Sequence, residues 1–166
     1  MKRFFIPLFW CVSFFLPNPV QILGADYTEV KPGVFFRVCN SGCNNGWIAF
    51  KDYVLAVDGN FPAAAEETVH MIRQSTGKPI RFLFDTHNHG DHIFGNTVFA
   101  REGATVVATR GFIQKGRQAL QADFDEWVKT QPDKDIRWVE PSILFDDRLV
   151  LDDGERRVEL LSYGHG

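Results

Sequence analysis

Residues 80–92 have the sequence IRFLFDTHNHGDH, in which an apolar run is followed by a dense cluster of polar side chains. The near-continuous apolar segment 80–84 predicts a strand that is buried on both faces. Three of the five histidines of the chain and one aspartate follow it closely, as His87, His89, Asp91 and His92. Imidazole and carboxylate groups are ligands that zinc and several other divalent metals accept. The segment therefore predicts a metal site at the carboxyl end of a strand, where open α/β sheets bind their ligands.

The spacing within this cluster favours two metal positions. In an extended segment, residues two apart point to the same side, so His87 and His89 can bind one ion. Gly90 then frees the backbone to turn, which lets Asp91 and His92 face a second ion. Two ions about 3.5–4 Å apart can share a hydroxide and polarise a carbonyl or phosphoryl oxygen. The cluster thus indicates a dinuclear hydrolase, in which Asp91 also orients or accepts the proton of the attacking hydroxide.

The pattern His-x-His-x-Asp-His resembles the signature of the metallo-β-lactamase superfamily, and it is intact at residues 87–92. The resemblance implies an α/β fold (α+β in some schemes), a four-layer αββα sandwich of two mixed sheets with helices on both outer faces. It implies that His87 and His89 hold the first metal, and that Asp91 and His92 hold the second. A third histidine normally completes the first site, after a later strand. Two registers compete for it, one using His165 and the other the position after the last residue of this sequence.

The family's bridging aspartate and final histidine are expected later than residue 166. We therefore expect this chain to correspond to about the first half of the fold, and to be inactive or unstable in isolation. For the complete protein the resemblance implies two zinc ions, with iron or manganese as alternatives. The predicted function is an exported zinc-dependent metallo-hydrolase that acts on a small carbonyl substrate: an ester, thioester, lactone or β-lactam. The alternatives are an iron-dependent sulfur dioxygenase, a nuclease of the same superfamily, or a non-catalytic or inactive fragment.

Residues 1–25 predict a signal peptide for export. Lys2 and Arg3 precede the apolar run 4–16, and small residues suitable for cleavage follow at 24–25. The run is short for a bilayer span, so no stable membrane contact is expected after cleavage, with an uncleaved anchor as the alternative. The mature chain is expected in the periplasm or outside the cell. Residues 26–166 are predicted to form one domain, 45% of the whole chain being hydrophobic, and the net charge of −3 argues against a nucleic-acid partner.

The rest of the chain predicts alternating strands and helices. A helix is predicted from Pro62 to a stop at Gly77, with an apolar face on one side and His70 in solvent. Another is predicted over 110–120, capped by Thr109. Strands are predicted over 34–38, 47–50, 53–57, 105–108, 143–145, 148–151 and 158–161, with turns at Asn45-Gly46 and 152–155.

Several polar and aromatic residues have two interpretations each. Asp58 follows a predicted strand and is either a group that supports a metal ligand or a turn carboxylate. Asp85 either accepts a hydrogen bond from a ligating imidazole or is a solvated carboxylate at a strand end. Trp127 and Trp138 are expected in the core rather than in a substrate cleft. Cys39 and Cys43 are expected as a disulfide or as free thiols rather than as metal ligands, because no second cysteine pair or histidine lies near them in sequence.

Overall fold

The computed structural model describes residues 27–115, 117–133 and 135–164, so the predicted signal peptide and His165 lie outside the described residues. Seven strands form one sheet in sequence order: β1 (Thr28–Lys31), β2 (Val34–Arg37), β3 (Asn45–Ala49), β4 (Val54–Val57), β5 (Ile80–Asp85), β6 (Thr105–Thr109) and β7 (Ile143–Phe145). A separate hairpin pairs β8 (Arg148–Asp152) with β9 (Arg157–Leu161). The helices are α1 (Pro62–Thr76), α2 (Gly90–Ile93), α3 (Asn96–Arg101), a 3-10 helix (Arg110–Lys115) and α4 (Arg117–Val128). None of these helices has the length and apolarity needed to cross a bilayer.

The sheet changes from antiparallel to parallel at β4. Strands β1 to β4 form an antiparallel meander, whereas β4, β5, β6 and β7 run parallel. Parallel neighbours need crossover connections, which the helices supply. The carboxyl ends of β4, β5 and β6 therefore meet at one edge of the sheet. The segments that follow β4 and β5, which begin with Asp58 and Thr86, come together there.

Each face of the sheet has its own apolar core. On one face, α1 and α3 pack against the sheet through buried residues that include Ala65, Ile72, Phe99, Trp47 and Leu83. On the other face, the β8–β9 hairpin covers a cluster of Phe50, Leu55, Val107, Phe145 and Leu160. A third cluster joins α2, the 3-10 helix and α4. The described part of the chain thus has a helix layer, a mixed sheet and the beginning of a second sheet.

Helix α1 follows the sequence prediction closely. Pro62 lies in its first turn, and the Gly77 N–H donates to Arg73 O at 3.0 Å with Gly77 in the left-handed conformation. The predicted apolar residues Ala65, Val69 and Ile72 are buried, and His70 is exposed. Both predictions for this helix are confirmed.

Two local predictions are wrong. Asn45-Gly46 does not form a turn but begins β3, because Asn45 pairs with Arg37 and extends the antiparallel ladder beyond the expected strand end. The predicted helix over 110–120 is divided into the 3-10 helix and α4, and Thr109 belongs to β6. Pairing with Phe145 of β7 holds Thr109 in the extended conformation, so it cannot act as a helix cap. The ladder outweighs the local turn and cap signals in both places.

A buried arginine forms hydrogen bonds between the sheet and α1. Arg37 of β2 is 5% exposed, and its Nη1 donates to Ala64 O and to Thr68 Oγ1, each at 2.8 Å. Its Nη2 pairs with the largely exposed Glu67. Asn45 Nδ2 donates to the same Thr68 hydroxyl at 2.9 Å. These bonds connect α1 to the sheet, whereas the buried Arg37 Nε and Asn45 Oδ1 have no hydrogen-bond partner among the described residues.

Arg37→Ala should lower the free energy of unfolding by about 2 kcal/mol, because it removes the buried charged hydrogen bonds to Ala64 O and Thr68 Oγ1. Glu67→Gln is the control, since loss of an exposed partner should cost less than about 1 kcal/mol. Urea denaturation followed by circular dichroism measures both values. Equal costs for the two variants would contradict the importance of the buried bonds.

Candidate metal centre

The histidine cluster lies directly after β5, at the edge where the parallel strands end. The His87 and His92 ring centroids are 3.9 Å apart, and those of His87 and His89 are 4.6 Å apart. Asp91 belongs to α2, and its Oδ2 lies 3.8 Å from His92 Nε2. The structure therefore brings together all four side chains that the sequence analysis selected between residues 87 and 92.

The cluster combines ring nitrogens and a carboxylate in a site open to solvent. His87 and His89 are exposed, and the Asp91 side chain is 38% exposed. Partial loss of hydration, and then the positive charges of His92 and His89, lower the pKa of His87. A lower pKa favours the neutral imidazole, which is the form that binds metals. The donor set, three imidazoles and a carboxylate, is one that divalent metals accept.

Asp58 contacts both the start of the loop that follows β5 and the His92 ring. It is buried, and its Oδ1 accepts hydrogen bonds from the Thr86 N–H and the Thr86 hydroxyl, both at 2.9 Å. Its Oδ2 lies 3.0 Å from His92 Nδ1. The two atoms are close but not aligned for a hydrogen bond, so the carboxylate acts on His92 through its nearby charge, and Nε2 lies on the side of Asp91. Of the two interpretations of Asp58, the structure supports the one in which it supports a metal ligand.

Asp58→Asn should weaken zinc binding by roughly 10–100-fold, as loss of an outer partner of a ligating histidine does. The amide oxygen can still accept from Thr86, while the charge beside His92 Nδ1 is removed. Asp52→Asn, at an exposed position between β3 and β4, is the matched control. Competition with a zinc chelator measures the affinities, and an unchanged value for Asp58→Asn would count against the orienting role.

Asp85 has neither of its predicted environments. It has no solvent exposure, and its Oδ2 accepts a hydrogen bond from Asn96 Nδ2 at 2.8 Å rather than from an imidazole. Burial raises the pKa of this carboxyl well above its usual range, against the opposing effect of the Asn96 hydrogen bond. Asp85 is the last residue of a central strand, and Asn96 is the first residue of α3. Asp85 thus links the strand to the start of α3.

Gly90 is required for a different reason from the predicted one. The backbone there is helical, since Gly90 is the first residue of α2. A Cβ atom at Gly90 would lie 2.7 Å from the Phe94 ring. The glycine thus makes room for an aromatic side chain one turn later instead of freeing the backbone to turn.

Two hydrogen bonds between backbone atoms join the loops that follow β4 and β5. The Gly59 N–H donates to His92 O and the Gly95 N–H donates to Asn60 O, each at 2.6 Å. Asp58 and Asn60 both have positive φ, at 61° and 56°, a conformation that aspartate and asparagine tolerate better than most residues. These contacts fix the position of the His92 backbone relative to Asp58.

Cys43 is the residue of this site that sequence reasoning missed. Its Sγ, a carboxylate oxygen of Asp58 and a ring nitrogen of His92 all lie within 4.8 Å of one another. The cysteines have no histidine near them in sequence, which argued against metal binding. His92 lies near Cys43 in the folded chain, so that argument is wrong. Both cysteines are free thiols. Nothing in the spacing of residues 43, 58 and 92 could have revealed their proximity.

The two tryptophans pack in the third core cluster. Trp127 is half-buried, with its ring centroid 4.7 Å from that of Phe94, and Trp138 is half-buried 5.5 Å from Phe124. Both support the core interpretation. Phe94 lies two positions after His92, and Ile93 of α2 belongs to the same apolar cluster. This cluster therefore packs against α2.

Several solved structures superpose on the described fold. A metallo-β-lactamase from Pontibacter korlensis superposes with a TM-score of 0.59 at 17% identity, over 80% of this chain. The chain has the metallo-β-lactamase fold. A B3 metallo-β-lactamase with an active-site glutamic acid, at 25% identity, gives a TM-score of 0.57 over 80% of this chain. The inverting sec-alkylsulfatase Pisa1 from Pseudomonas sp., at 18% identity, has the same fold with a TM-score of 0.59 over 82% of this chain.

The metallo-β-lactamase fold predicted from residues 87–92 is thus confirmed. The chain spans 58% of the Pontibacter protein, 50% of the B3 protein and 27% of Pisa1, so it corresponds to about half of the two lactamases. No protein-family model and no curated protein matches the sequence.

Proposed function

We propose that this chain carries the metal-binding part of an exported, zinc-dependent metallo-hydrolase. The observation that supports the proposal is the convergence of three imidazoles and Asp91 at the carboxyl edge of a parallel sheet, braced by the buried Asp58. His87 and His89 would hold one ion, and Asp91 and His92 the other. His165 is proposed as the third histidine of the first site.

Zinc bound at this edge would supply a Lewis acid and lower the pKa of a coordinated water towards neutrality. The side chains of the chain itself do the positioning. Asp58 orients His92, and the backbone contacts of Gly59 and Gly95 keep both rigid. Asp91 is partly exposed and faces the cluster, so it is placed to orient the nucleophile and to accept its proton.

The proposed substrates are small carbonyl compounds, namely esters, thioesters, lactones or β-lactams. An acidic chain, with a net charge of −3, does not favour a polyanionic nucleic acid. The export signal proposed for residues 1–25 places the enzyme in the periplasm or outside the cell. An iron-dependent dioxygenase would use the same donor groups, and the metal distinguishes it from the hydrolase.

The test begins with element analysis of the purified 166-residue chain after loading with zinc, iron or manganese and removal of free metal. Hydrolysis of a chromogenic ester, a thioester and a cephalosporin is then assayed with this chain and with longer forms of the protein. Zinc retention together with hydrolysis in any form supports the proposal. Failure to retain zinc would refute it, and selective retention of iron would favour the dioxygenase.

A further inference from the structure

The side chains of Cys43, Asp58 and His92 converge at one edge of the histidine cluster. Cys43 and Asp58 are 7% and 6% exposed, and the His92 side chain is 17% exposed. Their ligand atoms lie within 4.8 Å of one another. A thiol is not needed to orient an imidazole, since Asp58 already lies 3.0 Å from His92 Nδ1. The position of Cys43 is therefore unexplained by the proposed hydrolase.

The loop that carries Cys43 is held firmly in place. Asn60 Nδ2 donates to Cys43 O at 2.7 Å, and Asn60 is itself fully buried. Gly42 has a φ of 100°, and a Cβ atom there would lie 2.2 Å from Asn60 Oδ1. The residue next to Cys43 thus has no room for a side chain. This close packing holds the backbone of Cys43 against the loop that follows β4.

The three groups match the donors of a thiophilic divalent ion. Sulfur, carboxylate oxygen and imidazole nitrogen bind zinc at about 2.0–2.3 Å, which puts neighbouring ligand atoms about 3.5 Å apart in a tetrahedral site. A small contraction of the cluster reaches that spacing. An ion bound there would displace the proton of the Cys43 thiol, because a coordinating thiol is deprotonated outright.

We propose that Cys43, Asp58 and His92 form a binding position for a thiophilic divalent ion, such as zinc, cobalt or cadmium, in which His92 binds through Nδ1, a buried atom without a hydrogen-bond partner among the described residues. This position adds a sulfur ligand to a metal centre otherwise composed of nitrogen and oxygen. A fourth ligand from solvent completes it. The proposal does not depend on hydrolase activity, since it concerns metal binding alone.

Cobalt titration of the reduced 166-residue chain tests the position, because a thiolate bound to cobalt gives an intense charge-transfer absorption in the near ultraviolet. We expect this band in the unaltered chain. It should disappear in Cys43→Ser, persist in the control Cys39→Ser, and persist in His87→Ala, which removes only a ligand of the histidine cluster. Cys43→Ala is the second variant, and circular dichroism verifies that each variant is folded.

Absence of the band from the unaltered chain would overturn the proposal, whether cobalt binds without sulfur or does not bind at all. A band that survives Cys43→Ser, or that Cys39→Ser removes, would also overturn it. A band in His87→Ala, with zinc no longer retained by the cluster, would establish that the two positions are separate.

Discussion

Replacing His87 by alanine is expected to remove metal from the histidine cluster and to abolish any hydrolysis that depends on it. The His87 ring lies close to both the His89 and the His92 rings, so its loss leaves the first ion with one nearby imidazole fewer. Loss of an outer partner of a ligand costs roughly 10–100-fold in affinity, and loss of a ligand itself should cost more. Element analysis after dialysis, and competition with a chelator, measure the change.

His70→Ala is the matched control, since His70 is an exposed histidine on α1. It should retain the metal content of the unaltered chain and the same thermal unfolding. If His87→Ala keeps its full zinc content while remaining folded, the assignment of the cluster as a metal site is wrong. Because His87 is exposed, its removal should leave the fold intact.

Gly95→Ala should destabilise the chain by about 3 kcal/mol, near the upper end of the cost of overpacking. The backbone at Gly95 is right-handed helical, with φ −83° and ψ 0°, so alanine meets no conformational strain there. Its Cβ, however, would lie 2.1 Å from Gly59 O and 2.9 Å from Asn60 O. The two loops must separate, which also moves His92 away from Asp58. Urea denaturation measures the loss of stability, and zinc affinity should fall with it.

Gly103→Ala provides the comparison. Nothing lies within 4 Å of a Cβ at Gly103, where φ is 86°. The cost there is backbone strain alone, roughly 1–2 kcal/mol, with zinc affinity unchanged. Equal zinc affinities for Gly95→Ala and the unaltered chain would show that the contact between the loops does not position the metal site.

The strand at residues 80–85 and the clustering of the histidines after it could be predicted from sequence, because both depend on neighbouring residues. An apolar run followed by closely spaced histidines and an aspartate needs only a strand and a turn to bring its ligands together. Helix α1 was predictable for the same reason, since Pro62, Gly77 and the spacing of its apolar residues act within the helix itself. The boundaries were less predictable where strand pairing decided them, as at Asn45 and Thr109.

The sequence by itself determined the clustering of His87, His89, Asp91 and His92, the strand that precedes them and the fold, because these depend on residues close together in the chain. Only the tertiary structure decided the partners of Asp58, Asp85 and Cys43. Parallel pairing of β4 with β5 brings Asp58 beside His92, and the packed loop after β2 brings Cys43 to both. Contacts between residues so far apart in sequence arise from the assembled sheet, and no spacing in the chain encodes them.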